Sequence, residues 1–442
     1  MLEKMFIYLI LSFQTSKAMR LTFNRPSFVP KLIASTINKK WKEKELTESL
    51  RITRRTAYVA VLVMGIVSML GDIVYESGRG IAPDYLRFLG ASAFMVGAVS
   101  GAGEFIGYSM RLVSGGLADR TRSYWFFIFL GYGLILAIPF MGFTTSVELV
   151  MVLLLLERLG KALRAPSRDT VVSIVSKGIG SGKAFGIHEA IDQIGAVIGP
   201  LILGGIMFYT LNNYSISFKF LLVPYALMLV AIAYTYGRIG KTVDIEAKNM
   251  GRSKGSLNKG FWLYSGAILF NTIGLIPVAL ILYKGSSILQ PLGQQWIVPL
   301  LYVVVQLADA PMALVSGVLF DRIGVKVLAV PFVLSILPAF LVLYGGLMGV
   351  VAACVVYGLV LGMQESIYRA AIVNLAPLGR RGIAYGIFNI ALGIGTLVGG
   401  AVFGFFIDQG YSALVMMGFA FIMQVGALMT LRSDRQLFSK TI

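Results

Sequence analysis

The sequence predicts an all-α membrane protein in which twelve transmembrane helices form two pseudo-symmetric six-helix bundles. Three observations support this fold class: the composition, a series of long apolar segments, and a repeat that relates the two halves of the chain. Of the 442 residues, 57% are hydrophobic and only 14% are charged, with a mean hydropathy of +0.79. Soluble domains carry about 25% charged residues. This chain therefore has too few charges to cover a water-exposed surface of its size, which argues against a soluble enzyme.

Twelve apolar segments follow one another along the chain, and each is long enough, or nearly long enough, for a helix that crosses a bilayer, which takes about 20 residues. Polar residues interrupt the fourth and fifth segments, so their limits are the least sharp. The predicted spans are 57–82, 91–117, 124–143, 147–163, 183–208, 216–236, 260–284, 295–319, 327–345, 348–372, 382–407 and 411–431.

Residues 1–56 are predicted to form a basic cytoplasmic extension rather than a thirteenth span. Their apolar stretch, 5–13, is too short to cross the bilayer, and no convincing signal-peptide cleavage site follows it. Met19 is an alternative start of the native protein, in which case residues 1–18 would not belong to it.

The distribution of charge predicts the orientation. Lys and Arg number 39 against 21 Asp and Glu, a net charge of +18. The basic residues concentrate in alternate loops, whereas the loops after spans 3, 9 and 11 carry almost none. Because positively charged loops remain in the cytoplasm, both termini are predicted to be cytoplasmic in a multi-pass protein of the cell membrane. This topology explains the excess charge without nucleic-acid binding.

The two halves of the chain echo each other. The polar segment 237–259 is predicted to be a cytoplasmic linker between a first bundle, 57–236, and a second bundle, 260–431, which a tail, 432–442, follows. The sequence Leu-Ala-Asp-Arg after span 2 matches Leu-Phe-Asp-Arg after span 8, and similar glycine-containing segments open spans 5 and 11. Parallel repeats of this kind predict a pseudo-two-fold axis along the membrane normal, with a cavity between the halves.

The loop after span 8 carries a motif of fixed spacing, Gly317-Val-Leu-Phe-Asp321-Arg322-Ile-Gly324. With this motif the chain resembles the major facilitator superfamily over about residues 57–431. The resemblance implies that the loop latches one conformational state of a transporter. Positive charge needed only for topology would explain Arg322 but not the accompanying glycines and aspartate.

The loop after span 2 carries the first-half copy of this motif, with Gly115, Asp119 and Arg120 at the matching positions. This copy has Arg122 where the second copy has its later glycine. In span 4, Arg158 matches the arginine of a second signature of the superfamily, which assists proton or substrate coupling, although Lys and Ala follow where Gln and Gly are usual.

Glycines in spans 5 and 11 have two interpretations. Gly195, Gly199 and Pro200 resemble the family's antiporter-type glycine-proline pattern, which would favour efflux. Small residues four positions apart also let helices approach closely, and Gly395 and Gly399 in span 11 favour this packing role.

Ionisable residues inside the membrane cost free energy and usually face a cavity or a partner of opposite charge. Contact of Arg158 with Glu104 or with Asp72 is one hypothesis. Glu365 and Arg369 have the i,i+4 spacing of a structural ion pair. The lone His188 is interpreted as a packed imidazole, with pH sensing as the alternative. The candidates for proton coupling or substrate contact are Asp72, Glu76, Glu104, Arg111, Arg158, Asp192, Asn271 and Asp309.

The resemblance implies secondary active transport of a small organic solute by alternating access. The chain has no P-loop motif, so an ion gradient, most simply of protons, is the expected energy source. The alternatives are an uptake permease for a metabolite anion and a sensor without transport activity on the same scaffold. We predict no enzymatic activity, no cofactor and no metal, since the chain has one cysteine and one histidine. The expected partners are the solute, H⁺ and lipid, with the protein as a monomer.

Overall fold

The computed structural model describes residues 54–176, 179–247, 257, 259–376 and 381–433, so nearly all of the predicted N-terminal extension and most of the tail lie outside the described residues. Within these ranges the chain forms twelve long helices, several of them interrupted by short 3₁₀ or irregular turns. They are α1 (Arg54–Phe88), α2 (Ala93–Thr121), α3 (Tyr124–Phe143), α4 (Val147–Val175), α5 (Ser181–Tyr209), α6 (214–247), α7 (Lys259–Leu292), α8 (Val298–Ile323), α9 (Lys326–Leu341), α10 (346–375), α11 (Arg381–Asp408) and α12 (Ala413–Arg432).

Each of the twelve predicted spans corresponds to one of these helices. Among the described residues, nine helices are long and apolar enough to cross a membrane, and α9 is a shorter apolar helix. The two that fall outside this set, α2 and α4, carry charged residues that face the cavity described below. Their low apolarity is therefore a consequence of the cavity they line.

Hydroxyl side chains fix the starts of two of these helices. The Ser92 hydroxyl accepts a hydrogen bond from the Met95 N–H at 3.3 Å, and the Ser146 hydroxyl accepts one from the Leu149 N–H at 3.2 Å. N-cap residues of this type satisfy N–H groups that have no partner within the helix. The starts of α2 and α4 are thus encoded locally.

Two of the helices depart from regular geometry where they face the cavity. In α7, regular helix ends at Ile273 and resumes at Val278, because Pro277 is extended and lacks an N–H for the helical pattern. In α10, residues Gln364–Tyr368 form a π-helical turn. Such turns are rare and are frequent at functional sites.

Two helices extend more than ten residues beyond their predicted ends. Helix α4 continues to Val175 rather than ending at 163, so Arg164 and Arg168 lie on the helix and not in a loop. Hydropathy ended the span early because one face of the helix is charged. Helix α6 continues to Ala247, so the beginning of the predicted linker 237–259 is helical, and residues 248–256 and 258 lie outside the described part of the chain.

The turns that end α2 and α8 both contain a residue with positive φ at the same position of the repeated motif. Gly324 has φ +62° and ψ −147°, a conformation that essentially only glycine adopts. Arg122 has φ +58° and ψ +22°, which an L-residue tolerates at a small cost. In the first turn Asp119 accepts a hydrogen bond of 2.8 Å from the Tyr124 hydroxyl.

Glycines allow close approach between matching helix pairs in the two halves. A Cβ atom added at Gly199 of α5 would lie 2.6 Å from the Ile73 carbonyl oxygen of α1, and one at Gly399 of α11 would lie 2.8 Å from the Ile273 carbonyl oxygen of α7. Cβ atoms added at Gly195 and Gly395 would likewise clash, with the Met69 carbonyl oxygen and the Thr272 hydroxyl oxygen respectively. The α1–α5 and α7–α11 contacts are therefore equivalent in the two bundles.

Candidate functional site

A cavity of about 1520 Å³, including the part open to solvent, lies between the two bundles. Helices α1, α2, α4 and α5 line it from the first bundle, and α7, α8, α10 and α11 line it from the second. Its lining is unusually rich in charge for a membrane protein. The ionisable residues around it are Asp72, Glu76, Arg79, Glu104, Arg111, Lys161, Arg164, Arg168, Asp169, Glu189, Asp192, Asp309, Glu365 and Arg369.

Helical spacing explains why these residues share a surface. On α4, Lys161, Arg164 and Arg168 recur at intervals of three and four residues, and on α1 Asp72 and Arg79 lie two turns apart on one face. Residues at such intervals project from the same side of a helix. The charged face of each helix turns to the cavity, while its apolar faces pack or meet lipid.

Glu104 of α2 connects two arginines from different helices. Its Oε1 atom lies 3.1 Å from Nη2 of Arg79 on α1 and 3.2 Å from Nη1 of Arg158 on α4. The predicted Glu104–Arg158 contact is thus present. The alternative contact between Asp72 and Arg158 is not among the ion pairs of 4.0 Å or less in the described structure.

Tyr75 is surrounded by cations. The centroid of its ring lies 4.0 Å from Lys161 Nζ, 5.1 Å from the Arg158 guanidinium carbon and 5.6 Å from that of Arg79. The Tyr75 hydroxyl also accepts a hydrogen bond from Arg158. The ring face attracts cations through its quadrupole, so Tyr75 holds several positive groups together at the edge of the cavity.

Two cations that the first bundle contributes to the cavity wall lack a carboxylate partner. Among the described residues, neither Lys161 nor Arg111 forms an ion pair of 4.0 Å or less. The Arg111 guanidinium lies over the Tyr108 ring, 5.2 Å from its centroid, and its buried Nε has no hydrogen-bond partner in the described structure. Both groups are available to a bound anion.

Other cations of the first bundle already have partners. Arg164 lies 3.8 Å from buried Glu157, and Arg168 lies 3.0 Å from Asp169 and 3.7 Å from Asp192. These pairs offset part of the positive charge on α4. Lys161 and Arg111 consequently stand out from their neighbours.

The second bundle contributes carboxylates to the opposite wall. Asp309 on α8 is 2% exposed, and its Oδ1 atom has no hydrogen-bond partner in the described structure. A Cβ atom at Gly362 of α10 would lie 3.1 Å from this oxygen, so the glycine leaves room for the carboxyl group. Like Asp309, Asp72 makes no ion pair of 4.0 Å or less with a described residue.

The structure does not contain the predicted ion pair between Glu365 and Arg369: both side chains are described, and no contact of 4.0 Å or less joins their charged groups. Glu365 itself lies in the π-helical turn Gln364–Tyr368, and Arg369 follows this turn directly. Because a wider turn changes the angle between residues four apart, the i,i+4 argument for a regular helix does not apply here. Both residues line the cavity instead.

Asn271, unlike Glu365 and Arg369, does not line the cavity. Its side chain is fully buried within the second bundle, where its amide donates to Gln424 at 2.8 Å and to Ser335 at 3.2 Å and its oxygen accepts from Tyr368 at 2.8 Å. The next residue, Thr272, faces the cavity. Successive residues of a helix point in directions about a quarter-turn apart, so the depth of Asn271 was right for the cavity but its direction was not.

The remaining candidates fall into three places. Asp72, Glu76, Glu104, Arg111, Asp192 and Asp309 line the cavity; Arg158 lies beside it; and the motif residues of the two loops, such as Asp119 and Arg120, are exposed at the ends of their helices. Tyr75, Arg79 and Lys161 also belong to the site, although the sequence pattern did not predict them. The signal available for Arg79 was its position one turn after Glu76.

His188, Glu189 and Asp192 place possible ligand atoms within 4.8 Å of one another. Two of the three are already engaged, since the His188 Nε2 atom lies 3.0 Å from the Ser68 hydroxyl and Asp192 lies near Arg168. Arg168 also brings positive charge to the place where a cation would bind. The imidazole is buried, as the packing interpretation predicts.

Polar contacts join the two bundles at one end, here called the outer end, which carries the turns after α1, α3, α5, α7, α9 and α11. Asp408 at the end of α11 accepts hydrogen bonds of 2.8 Å from the Ala93 and Phe94 N–H groups at the start of α2. Buried Asp84 accepts hydrogen bonds from Ser286 at 2.5 Å and from Tyr214 at 2.8 Å. None of these residues lines the cavity, whose lining extends toward the opposite ends of α4, α5 and α10 at Asp169, Glu189 and Arg369.

Comparison with known proteins agrees with this architecture. The chain is 35% identical over 368 residues to the uncharacterized protein Rv2265 of Mycobacterium tuberculosis. The aligned segment covers 82% of this chain and 90% of the relative. It is 23% identical over 361 residues, 78% of this chain and 87% of the relative, to an uncharacterized MFS-type transporter, MJ1317, of Methanocaldococcus jannaschii.

Solved structures share the fold at low identity. The nucleoside transporter NupG superimposes with a TM-score of 0.66 at 17% identity, covering 86% of this chain and all of that one. The peptide transporter POT in complex with sulfate gives a TM-score of 0.67 at 16% identity, covering 86% and 94%. The family model of the Major Facilitator Superfamily matches residues 62–400. With this match over most of its length, the chain belongs to the Major Facilitator Superfamily of transporters.

Proposed function

We propose that this protein moves a small organic solute with an anionic group across the cell membrane, coupled to protons. Membership of the superfamily makes it a multi-pass membrane transporter and not an enzyme. The observation that carries the finer proposal is Lys161, a cation on the cavity wall that has no carboxylate within 4.0 Å among the described residues.

An uncompensated cation in a membrane is costly unless something neutralises it. Lys161 lies over the Tyr75 ring, with Arg158 and Arg79 near the same ring. Arg111 contributes a second cation without an ion-pair partner. A carboxylate or phosphate of the solute would supply the missing negative charge through charge-assisted hydrogen bonds.

Two carboxyl groups support proton coupling. Asp72 and Asp309 line the cavity from opposite bundles and make no ion pair of 4.0 Å or less with the described residues. A buried carboxyl group without a cation can hold a proton at neutral pH and release it when its surroundings open. Its protonation would then follow the conformational cycle.

Alternating access follows from the two-bundle architecture. The contacts of Asp408 and Asp84 hold the bundles together at the outer end, which the loop charges predict to be extracellular. Rocking of the bundles would break these contacts and open the cavity there. The two loop motifs, which repeat the same spacing in the two halves of the chain, would then latch the opposite end. Both termini are proposed to be cytoplasmic and the protein to act as a monomer.

Efflux is part of the proposal because of the glycine-proline pattern in α5. The same glycines also pack against α1, which is the alternative explanation of the pattern. The direction of transport therefore needs its own measurement. Proteoliposomes with the solute and the pH gradient imposed in either sense give the direction directly.

The experiment is a thermal-shift screen of small carboxylates and phosphates with purified protein, followed by flux in proteoliposomes for each hit. We expect an imposed pH gradient to drive flux in the wild type. Lys161→Gln should lose binding of anions, while Lys259→Gln, which removes an exposed lysine outside the cavity, should not. Asp72→Asn and Asp309→Asn should abolish the response to the pH gradient. Binding without any flux would overturn the proposal in favour of a sensor.

A further inference from the structure

A second, smaller pocket adjoins the central cavity and is hereafter called the side pocket. It comprises about 540 Å³ of space, including the part open to solvent, between α1, α2, α3, α4 and α7 toward the outer end. Tyr75, Arg79, Ser100 and Val278 line both spaces, so the two are neighbours across these four side chains.

The chemistry of the side pocket differs from that of the central cavity. Most of its walls are buried apolar side chains, including Leu86, Val96, Val99 and Ile138. Its charged groups, Arg79, Glu157 and Arg158, belong to the cluster around Tyr75. An apolar chamber with charge at only one side fits a ligand that is apolar at one end and charged at the other.

The position of Lys161 connects the two spaces. Its Nζ atom lies 4.0 Å from the centroid of the Tyr75 ring, and Tyr75 lines both the cavity and the side pocket. The side chain of Tyr75 therefore lies between an anionic group bound at Lys161 and the apolar chamber. A solute held there by its charged end can extend past Tyr75 between α1 and α2.

One buried carboxylate lies at the charged side of the side pocket. Glu157 is 1% exposed, and its Oε1 atom has no hydrogen-bond partner in the described structure, although Arg164 lies 3.8 Å away. A buried carboxylate oxygen without a hydrogen bond costs free energy. An apolar group cannot donate a hydrogen bond to this oxygen, so the apolar part of a ligand belongs against the aliphatic walls of the side pocket and away from Glu157.

We infer that the transported solute is an amphipathic organic anion, whose charged group binds at Lys161 and whose apolar part occupies the side pocket. This inference rests on the proposed function for the anionic group and adds the apolar part. It predicts selectivity for anions that carry an aromatic or branched apolar group over the same anion without one.

The test compares two probes with the same charged group, methylphosphonate and phenylphosphonate, by calorimetry on the full chain in nanodiscs. Burial of a phenyl group should make phenylphosphonate bind at least tenfold more tightly to the wild type. Val99→Phe fills the side pocket and should remove this gain while leaving methylphosphonate binding unchanged. Ala279→Leu fills it from α7 and serves as an independent second variant, should the first not fold.

The outcomes separate the two claims. If neither phosphonate binds, the proposed anion site is wrong, and this inference falls with it. If methylphosphonate binds and the phenyl group adds nothing, the anion site stands and the inference is overturned. A phenyl gain that survives in both filled variants also overturns it, because the apolar part then binds elsewhere. Val113→Phe, at an exposed position on α2 outside both spaces, is the matched control and should leave both affinities unchanged.

Discussion

Glu104 and Arg158 form an ion pair of 3.2 Å between α2 and α4, and the same carboxylate oxygen lies 3.1 Å from Arg79. One negative charge thus serves two positive ones. This sharing makes the two ends of the pair unequal. Removal of Arg158 leaves Glu104 with Arg79 at 3.1 Å, whereas removal of Glu104 leaves Arg79 and Arg158 only their longer contacts with Glu76 at 3.7 Å and Glu157 at 3.8 Å.

The inequality gives the first prediction. Glu104→Gln should destabilise the protein by about 3 kcal/mol or more, as expected for loss of one partner of a buried pair, and Arg158→Gln should cost less. Thermal unfolding of the two single variants and the double variant measures this, and the double should cost less than the sum. Glu148→Gln, at an exposed acidic residue, is the control. Equal costs for the two single variants would show that Arg79 does not share the carboxylate.

The second prediction concerns helix packing in α5. Gly199→Ala should destabilise the protein by about 1–3 kcal/mol, because the added methyl group would lie 2.6 Å from the Ile73 carbonyl oxygen. Gly205→Ala in the same helix has no atom within 4 Å of the new methyl group. It should be neutral or stabilising by up to about 1 kcal/mol, since alanine favours helix. Equal melting temperatures for the two variants would contradict the close α1–α5 approach.

The two motif turns give a third prediction. Gly324→Ala should cost about 1–3 kcal/mol, because its φ of +62° and ψ of −147° are strained for any residue with a Cβ atom. Arg122→Gly at the matching position should change stability by less than about 1 kcal/mol. There glycine relieves the cost of positive φ but adds freedom to the unfolded chain, and the two effects oppose each other. Unfolding temperatures in one detergent compare the two variants directly.

The fourth prediction concerns the contact between Asp408 and the start of α2. Asp408→Ala removes two hydrogen bonds that join the bundles, and loss of a helix-capping side chain costs about 1 kcal/mol. The population open at the outer end should therefore rise roughly fivefold.

A thiol at the cavity wall reports this opening. In a Cys354→Ala background with Ser100→Cys, a membrane-impermeant thiol reagent added from the outer side should react faster when Asp408 is replaced. Gln409→Ala, at the exposed neighbouring residue, is the control. An unchanged labelling rate in the Asp408 variant would mean that this contact does not hold the outer end closed.

The sequence was informative about the helices because their signals are local. Apolar segments of about 20 residues predicted the twelve helices. The end of α4 was misplaced because charge on one face lowers hydropathy in the same way as a loop does. Arg164 and Arg168 were assigned to a loop for this reason.

The sequence by itself determined that this protein is a two-bundle helical membrane protein with charged residues at membrane depth. Exposing polar groups to lipid costs free energy, so every span must be mostly apolar, and this composition is visible in the sequence. Only the tertiary structure decided which charges meet. Glu104 reaches arginines from two other helices, Asn271 turns into its own bundle, and Glu365 lies in a π-helical turn that ends just before Arg369. These outcomes depend on the rotation and crossing of helices far apart in the chain, which residue spacing along one helix does not specify.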